Sequence, residues 1–153
     1  LDGPMSENTS VPATRGSSGV RVVGIIVIVL GALFVVAGLG TYAVVSKTLG
    51  DQKITVSDDA KHFAGRDVRG PFTAYAQANT INEHATEIGG GKTYAELPQD
   101  DPNRQTVMTA SFLQASLFTS VVAFGVAAFV AVMGVVLVLL GWCLMRLGRT
   151  APA

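Results

Sequence analysis

Two uncharged apolar stretches decide the fold of this chain: VVGIIVIVLGALFVVAGLGTYAVV, from Val22 to Val45, and VVAFGVAAFVAVMGVVLVLLGWCLM, from Val121 to Met145. A helix that crosses the hydrocarbon core of a bilayer needs about 20 mainly apolar residues, and both stretches exceed that length. A chain of 153 residues is too short to bury two such helices in a soluble core. The first stretch is also longer than the apolar core of a cleavable signal peptide. We therefore predict an all-α membrane protein, an antiparallel two-helix transmembrane hairpin with a small, mainly helical extracytoplasmic cap.

The composition agrees with a membrane protein and excludes a nucleic-acid-binding one. Hydrophobic residues make up 49% of the chain and charged residues 14%, against roughly 25% charged in soluble domains. The 11 basic and 11 acidic residues cancel, and they form no basic patch that would bind nucleic acid. Cys143 is the one cysteine, so no intrachain disulfide forms, and we expect it to be a buried thiol. The expected partners are the lipid bilayer and either another copy of the chain or another membrane protein.

The remaining segments are assigned from composition and local signals. Residues 1–4 precede Met5 and are expected to be an expression remnant. Residues 5–19 are rich in Ser, Thr and Gly, which predicts a disordered cytoplasmic tail. The expected order thereafter is transmembrane helix 1 (20–49), the cap (50–101), a long helix (102–147) that contains transmembrane helix 2 (121–145), and a cytoplasmic tail (148–153).

Charges beside the two spans predict their orientation, because Lys and Arg favour the cytoplasmic side. Two arginines precede the first span, Arg15 and Arg21, and two follow the second, Arg146 and Arg149. Between the spans, only Lys47 and Lys53 lie near a span end. Both termini are therefore predicted to be cytoplasmic, in the cell membrane. Tyr42 and Trp142 lie near opposite ends of the spans, where interfacial rings are enriched.

The segment between the spans carries its own start and stop signals. Residues 53–57 form a β-prone run, and a short helix is expected to follow as far as Gly65. Pro71 suits the first position of a second helix, which Gly89 and the two glycines after it end. Asp101 and Pro102 predict the start of the long helix.

The long helix is expected to project beyond the bilayer and to need a packing partner there. Its projecting part carries Met108 and Phe112, and the preceding helix carries Phe72 and Tyr75. Large apolar side chains that face water are unfavourable. We therefore predict that these four side chains form the core of the cap.

Small residues recur every seven positions in both spans. This spacing keeps them on one face of a left-handed helix pair, and small residues let helix backbones approach closely in a membrane. The pattern predicts a packing seam, within the hairpin or between copies. Its residues are Gly24, Gly31, Gly38, Ser120, Ala127, Gly134 and Gly141.

The sequence contains no catalytic motif, and we assign no catalytic residue and no cofactor. His62, His84 and Glu87 are the candidates for a metal site, although a solvated polar helix face explains them as well. The spans contain no Asp, Glu, Lys, Arg or His, which argues against proton-coupled transport.

Four stretches carry a family resemblance: KITVSDDA (53–60), GPFTAYAQA (70–78), GGKTYAEL (90–97) and the run from Thr106 to Gly125. In these the chain resembles small two-span actinobacterial membrane proteins that often bear the label "aromatic ring-opening dioxygenase". The resemblance implies a membrane protein and supplies no functional residues. A facial-triad iron oxygenase needs two His and a carboxylate around an open metal position, and enough scaffold to enclose a ring. This chain has only two histidines, no more than such a site needs, and too little scaffold to enclose a ring substrate, so we predict no such activity.

Three functions remain open from the sequence. The first is a non-enzymatic envelope protein that acts through protein contacts, as an accessory subunit or as an oligomer. The second is a pore built from several copies, with hydroxyls around a shared axis. The third is a metal or ligand site on the outer face. The hydroxyls of the second hypothesis are Thr41, Ser116, Thr119 and Ser120.

Overall fold

Three helices make up most of the protein. The structure is a computed structural model and describes residues 16–150. The helices are α1 (Gly16–Asp51), α2 (Pro71–Ile88) and α3 (Arg104–Thr150). Within that range there is no β-strand, only an isolated antiparallel bridge between Thr55 and Asp67. The all-helical fold class predicted from the sequence is confirmed.

The first and last helices, α1 and α3, are long and almost uniformly apolar. α1 has 36 residues and α3 has 47, or about 54 and 70 Å at 1.5 Å per residue. Both are long and apolar enough to cross a membrane, and only 17% of the most apolar window of each is buried inside the protein. The hydrocarbon core takes up about 30 Å of such a helix.

The helix ends differ from the predicted boundaries in detail. α1 begins at Gly16, so residues 16–19 are helical rather than part of a tail, and the rest of the predicted tail lies outside the described residues. α3 begins at Arg104 because Asp101 Oδ1 accepts a hydrogen bond from the Asn103 N–H (2.8 Å) and holds a turn there. At its other end α3 continues to Thr150. Cys143, near this end, is exposed on the surface of the helix, so the prediction of a buried thiol is wrong.

α1 and α3 pack along a seam of small residues. A Cβ atom added to any of the three seam glycines of α1 would lie 2.6–2.8 Å from a carbonyl oxygen of α3. Glycines further along α1 face residues that come earlier in α3, so the two helices run antiparallel. The facing pairs are Gly24 with Gly141, Gly31 with Gly134, and Gly38 with Ala127.

Ser120 ends the predicted row without a facing glycine. Its hydroxyl donates a hydrogen bond to the Ser116 carbonyl, one turn earlier in α3 (3.1 Å). This intrahelical bond satisfies the hydroxyl in an apolar setting.

We call the region between α1 and α3, residues 52–103, the cap; the sequence predicts a cap at residues 50–101. Its first part, 52–70, folds back on itself: the Val56 N–H donates to the Arg66 carbonyl, and the Val68 N–H to the Ile54 carbonyl, both at 2.8 Å. The prediction of a short helix before Gly65 is wrong, because the residues between Ser57 and Gly65 form turns beside the bridge. Val56 and Val68 are thereby turned inward and are almost completely buried.

The core of the cap is built mainly from small and β-branched side chains. α2 contributes the fully buried Ala74 and Ala78, which allow it to lie close to α3. The cluster links the three helices and segment 52–70 and consists of Leu49, Val56, Val68, Ala74, Ala78, Leu117 and Phe124. The predicted helix from Pro71 to Glu87 is confirmed, and Gly90 and Gly91 follow it with positive φ of 63° and 85°.

Arg104 fixes the connector between α2 and α3. Its guanidinium donates hydrogen bonds to the carbonyls of Tyr94 and Leu97, and it lies 4.3 Å from the centre of the Tyr94 ring. A second buried cluster of Ala85, Leu97 and Val107 lies beside it. The connector is therefore held by a charge-assisted contact at the start of α3.

Candidate functional site

Three exposed aromatic side chains stand together on the cap. Phe63 is 40% exposed, Phe72 74% and Tyr75 53%. Phe63 lies at the tip of the folded segment 52–70, and the other two lie on the first turns of α2. They line one groove of about 280 Å³, which we call the aromatic groove. Exposed aromatic side chains around a concavity are typical of binding sites.

The backbone at Phe63 is in an uncommon conformation. Its φ is 61°, in the left-handed region that bulky residues rarely enter. The turn around it is tight, because the Arg66 N–H donates to the Phe63 carbonyl (3.0 Å) and Gly65 also has a positive φ of 71°. Such a conformation costs about 1–3 kcal/mol, and the hydrogen-bonded turn maintains it, which places the Phe63 ring beside the groove.

Two ion pairs join the folded segment to α2 beside this groove. Lys61 Nζ lies 2.8 Å from Glu83 Oε1, and His84 Nε2 lies 2.5 Å from Asp59 Oδ2. The hydrogen bond to Asp59 raises the pKa of His84 above its usual value, and the same bond lowers the pKa of Asp59. Glu83 similarly raises the pKa of Lys61, so this amine stays protonated. A protonated, paired amine is not a nucleophile, so Lys61 contributes position and charge.

A buried amide holds the two walls together below the rim. Gln77 lies on α2 and is 8% exposed. Its Oε1 accepts a hydrogen bond from the Ser57 N–H (2.8 Å), and the Ser57 hydroxyl lies 3.3 Å from the same amide group. Since a partly buried backbone N–H needs a partner, Gln77 fixes residue 57 of the folded segment on α2.

A second concavity lies on the other side of Phe63 and Phe72, which line both. Arg66 and Arg69 line it together with Tyr42 of α1, and we call it the arginine groove. Arg69 Nε lies 3.5 Å from Asp67 Oδ2, and the Arg66 guanidinium lies 5.8 Å from the centre of the Phe63 ring. The two phenylalanines thus form a ridge, with the aromatic groove on one side and the arginine groove on the other.

The prediction of the cap core is wrong for three of its four side chains. Phe72 is 74% exposed and Phe112 66%, because small side chains let α2 and α3 pack too closely to enclose large rings. Tyr75 is also more than half exposed, although its ring packs on Phe118 at 5.8 Å. Met108 is half-buried.

The three candidate metal ligands are not brought together. His84 is paired with Asp59, and His62 instead lies beside the Phe63 ring (6.5 Å between ring centres). Glu87 is one turn from His84 on α2 and adds only a distant charge to it. Among residues 16–150, no group of three His, Cys, Asp or Glu side chains is placed to hold a metal ion.

No protein-family model, curated protein or solved structure matches the chain. The resemblance to small actinobacterial membrane proteins therefore stays a prediction, and the case for function rests on the geometry of the cap.

Sequence reasoning missed the residues that shape both grooves: Phe63, Arg66, Arg69 and Gln77. One signal was available, since the Gly65 that follows Phe63 by two residues marks a turn that would expose its ring. No local pattern identifies Gln77, because its partner lies twenty residues away along the chain.

Proposed function

We propose that the protein crosses the cell membrane twice, with α1 and α3 as an antiparallel hairpin, both termini in the cytoplasm and the cap outside. The exposure of both helices supports this placement, because only 17% of each apolar window is buried inside the protein and apolar side chains outside it would otherwise meet water. The seam supports α1 as a permanent span, since it packs on α3 in three successive places. The arginines near the ends of α1 and α3 remote from the cap support the orientation.

We further infer that the protein is not an enzyme and acts by binding another protein of the envelope through the aromatic groove. The observation that carries this proposal is the group of three exposed rings around one groove with a braced rim. Asn79 and Asn82 line the same groove and offer amide donors and acceptors to a peptide backbone. The fitting partner is an extended segment with one apolar side chain, carried by a membrane or envelope protein.

The pore hypothesis has less support from the geometry. The Thr119 and Ser120 hydroxyls donate to carbonyls one turn earlier, at 2.8 and 3.1 Å. Hydroxyls satisfied in this way can face lipid and do not require a water-filled axis. A metal site is disfavoured because its candidate ligands lie apart.

A photo-crosslinking amino acid at Tyr75 tests the proposal in native membranes. It should yield one discrete adduct with a second protein, and the adduct should disappear when Asn79→Trp fills the groove. The matched probe at Phe112, an exposed ring on α3 that does not line the groove, should yield no such adduct. An adduct of two copies of this chain would make the protein a homo-oligomer instead, and equal labelling from both positions would refute the groove as the binding site.

A further inference from the structure

The depth of the arginine groove follows from the lengths of the helices. Gly24 faces Gly141, so Arg21 and Arg146 lie near the same end of the helix pair, and the Arg146 guanidinium lies 4.6 Å from the centre of the Trp142 ring. An arginine and a tryptophan at one level are typical of a membrane interface. From there, a hydrocarbon core of about 30 Å covers about 20 residues of α1 and ends near Tyr42.

Tyr42 is therefore placed at the opposite interface, and it is also a wall of the arginine groove. Its ring packs on Phe124 of α3, with 4.7 Å between ring centres, so its position on the hairpin is fixed. The groove thus opens at the depth where the phosphates of the outer leaflet lie. The exposed Phe72 and Phe63 line the same groove as Tyr42.

The charges in the groove favour an anion. Arg69 lies across the end of α1, with its Nε 3.3 Å from the position that a Cβ atom on Gly50 would occupy. The Asp67 carboxylate lies 3.5 Å from Arg69 Nε and partly neutralises the charge of Arg69. Because Arg66 adds a second positive charge, the net charge of the groove is positive. Guanidinium groups bind phosphate oxygens through two parallel hydrogen bonds, which an exposed arginine pair is suited to do.

We propose that the arginine groove binds the headgroup of an anionic phospholipid of the outer leaflet. Arg66 and Arg69 hold the phosphodiester, and Phe63 and Phe72 line the side of the groove. The aromatic groove on the other side of these two rings stays open to a protein partner. The cap then rests on the membrane surface rather than standing free of it. The inference rests on the membrane placement proposed above.

Titration of purified full-length protein in detergent with dioleoylphosphatidylglycerol, followed by native mass spectrometry, tests the site. We expect R66Q/R69Q to weaken lipid binding by about tenfold, as the loss of charge-assisted bonds to phosphate implies. The matched variant K92Q, which removes a positive charge from a part of the cap that lines neither groove, should bind like the wild type. Asp67→Asn should strengthen binding, because it removes the carboxylate that competes for Arg69.

Equal lipid affinity in the wild type, R66Q/R69Q and Asp67→Asn would overturn the site. So would saturable binding of inorganic phosphate that displaces the lipid, because the groove would then be a site for a soluble anion. Carbonate extraction of cell membranes separates this failure from that of the membrane placement. If the wild type is released with peripheral proteins, the placement itself is wrong; if it stays in the membrane and lipid affinity is unchanged by the variants, only the lipid site is wrong.

Discussion

Replacing Gly31 by alanine adds one methyl group at the closest approach of α1 and α3. The new Cβ would lie 2.6 Å from the Gly134 carbonyl oxygen and 2.8 Å from the Val138 backbone nitrogen. Both atoms belong to the backbone of α3, so no side chain can rotate away. To restore ordinary contact at 3.4 Å, the helices must separate locally by about 0.8 Å, which also loosens contacts on either side.

The expected cost is about 1–3 kcal/mol of hairpin stability, the usual range for an added methyl group in a tightly packed site. Gly40 is the matched control, because it lies on the same helix and a Cβ there meets nothing within 4 Å. Gly40→Ala should change stability by no more than about 0.5 kcal/mol. Gly31→Leu should be more damaging than Gly31→Ala, for the same steric reason.

The assay is reversible unfolding of the hairpin in mixed detergent micelles, followed by energy transfer between dyes on the two helices. Gly134→Ala gives a second measurement from the opposite side, since its Cβ would meet the Gly31 carbonyl oxygen at 2.6 Å. The double variant should cost less than the sum of the two, because helices already separated for one methyl group accommodate the other more easily. Equal stability of Gly31→Ala and Gly40→Ala would refute the close packing of the seam.

Four further predictions concern the rest of the molecule. In intact cells, a cysteine at Thr93 should react with a membrane-impermeant thiol reagent and one at Ser10 should not; the reverse pattern would invert the topology. Gln77→Ala should cost about 1 kcal/mol and speed amide exchange in segment 52–70, because it leaves the partly buried Ser57 N–H without its partner, whereas the exposed Asn82→Ala should have no such effect. The raised pKa of His84 means that the folded cap binds its proton more tightly: the stabilisation is full below pH 6.5 and is lost as pH rises through the raised pKa. Cap amide protection should therefore fall towards alkaline pH in the wild type but not in His84→Asn, and a flat wild-type profile would contradict it. Purified protein supplied with iron should not consume a catechol; stoichiometric iron binding with turnover would overturn the non-enzymatic proposal.

The helices could be predicted from the sequence because each depends on local signals. The seam pattern follows from a seven-residue spacing of small residues, and the pairs Gly24–Gly141 and Gly31–Gly134 keep that spacing in the structure. Pro71 and the glycines after Ile88 likewise mark the ends of α2 within a residue or so.

The cap core could not be predicted because it depends on a segment that folds back. Val56 and Val68 are inside only because residues 52–70 turn on themselves, and no short-range pattern shows that reversal. Large side chains were expected inside, but burial of apolar residues is a one-way rule: Phe72 and Phe112 are exposed while Ala74 is buried. The grooves depend on the same reversal, and so they were not predicted either.

The antiparallel seam also sets an order of events during synthesis. The chain emerges at about 5–20 residues per second, so α1 is complete several seconds before the part of α3 that covers it. During that interval the glycine stripe of α1 lacks its partner. Ala127 emerges before Gly134 and Gly141, so the pairing closes first beside the cap and proceeds towards the opposite end. During this interval, the α1 helices of two different chains can therefore pair with each other through their uncovered glycines.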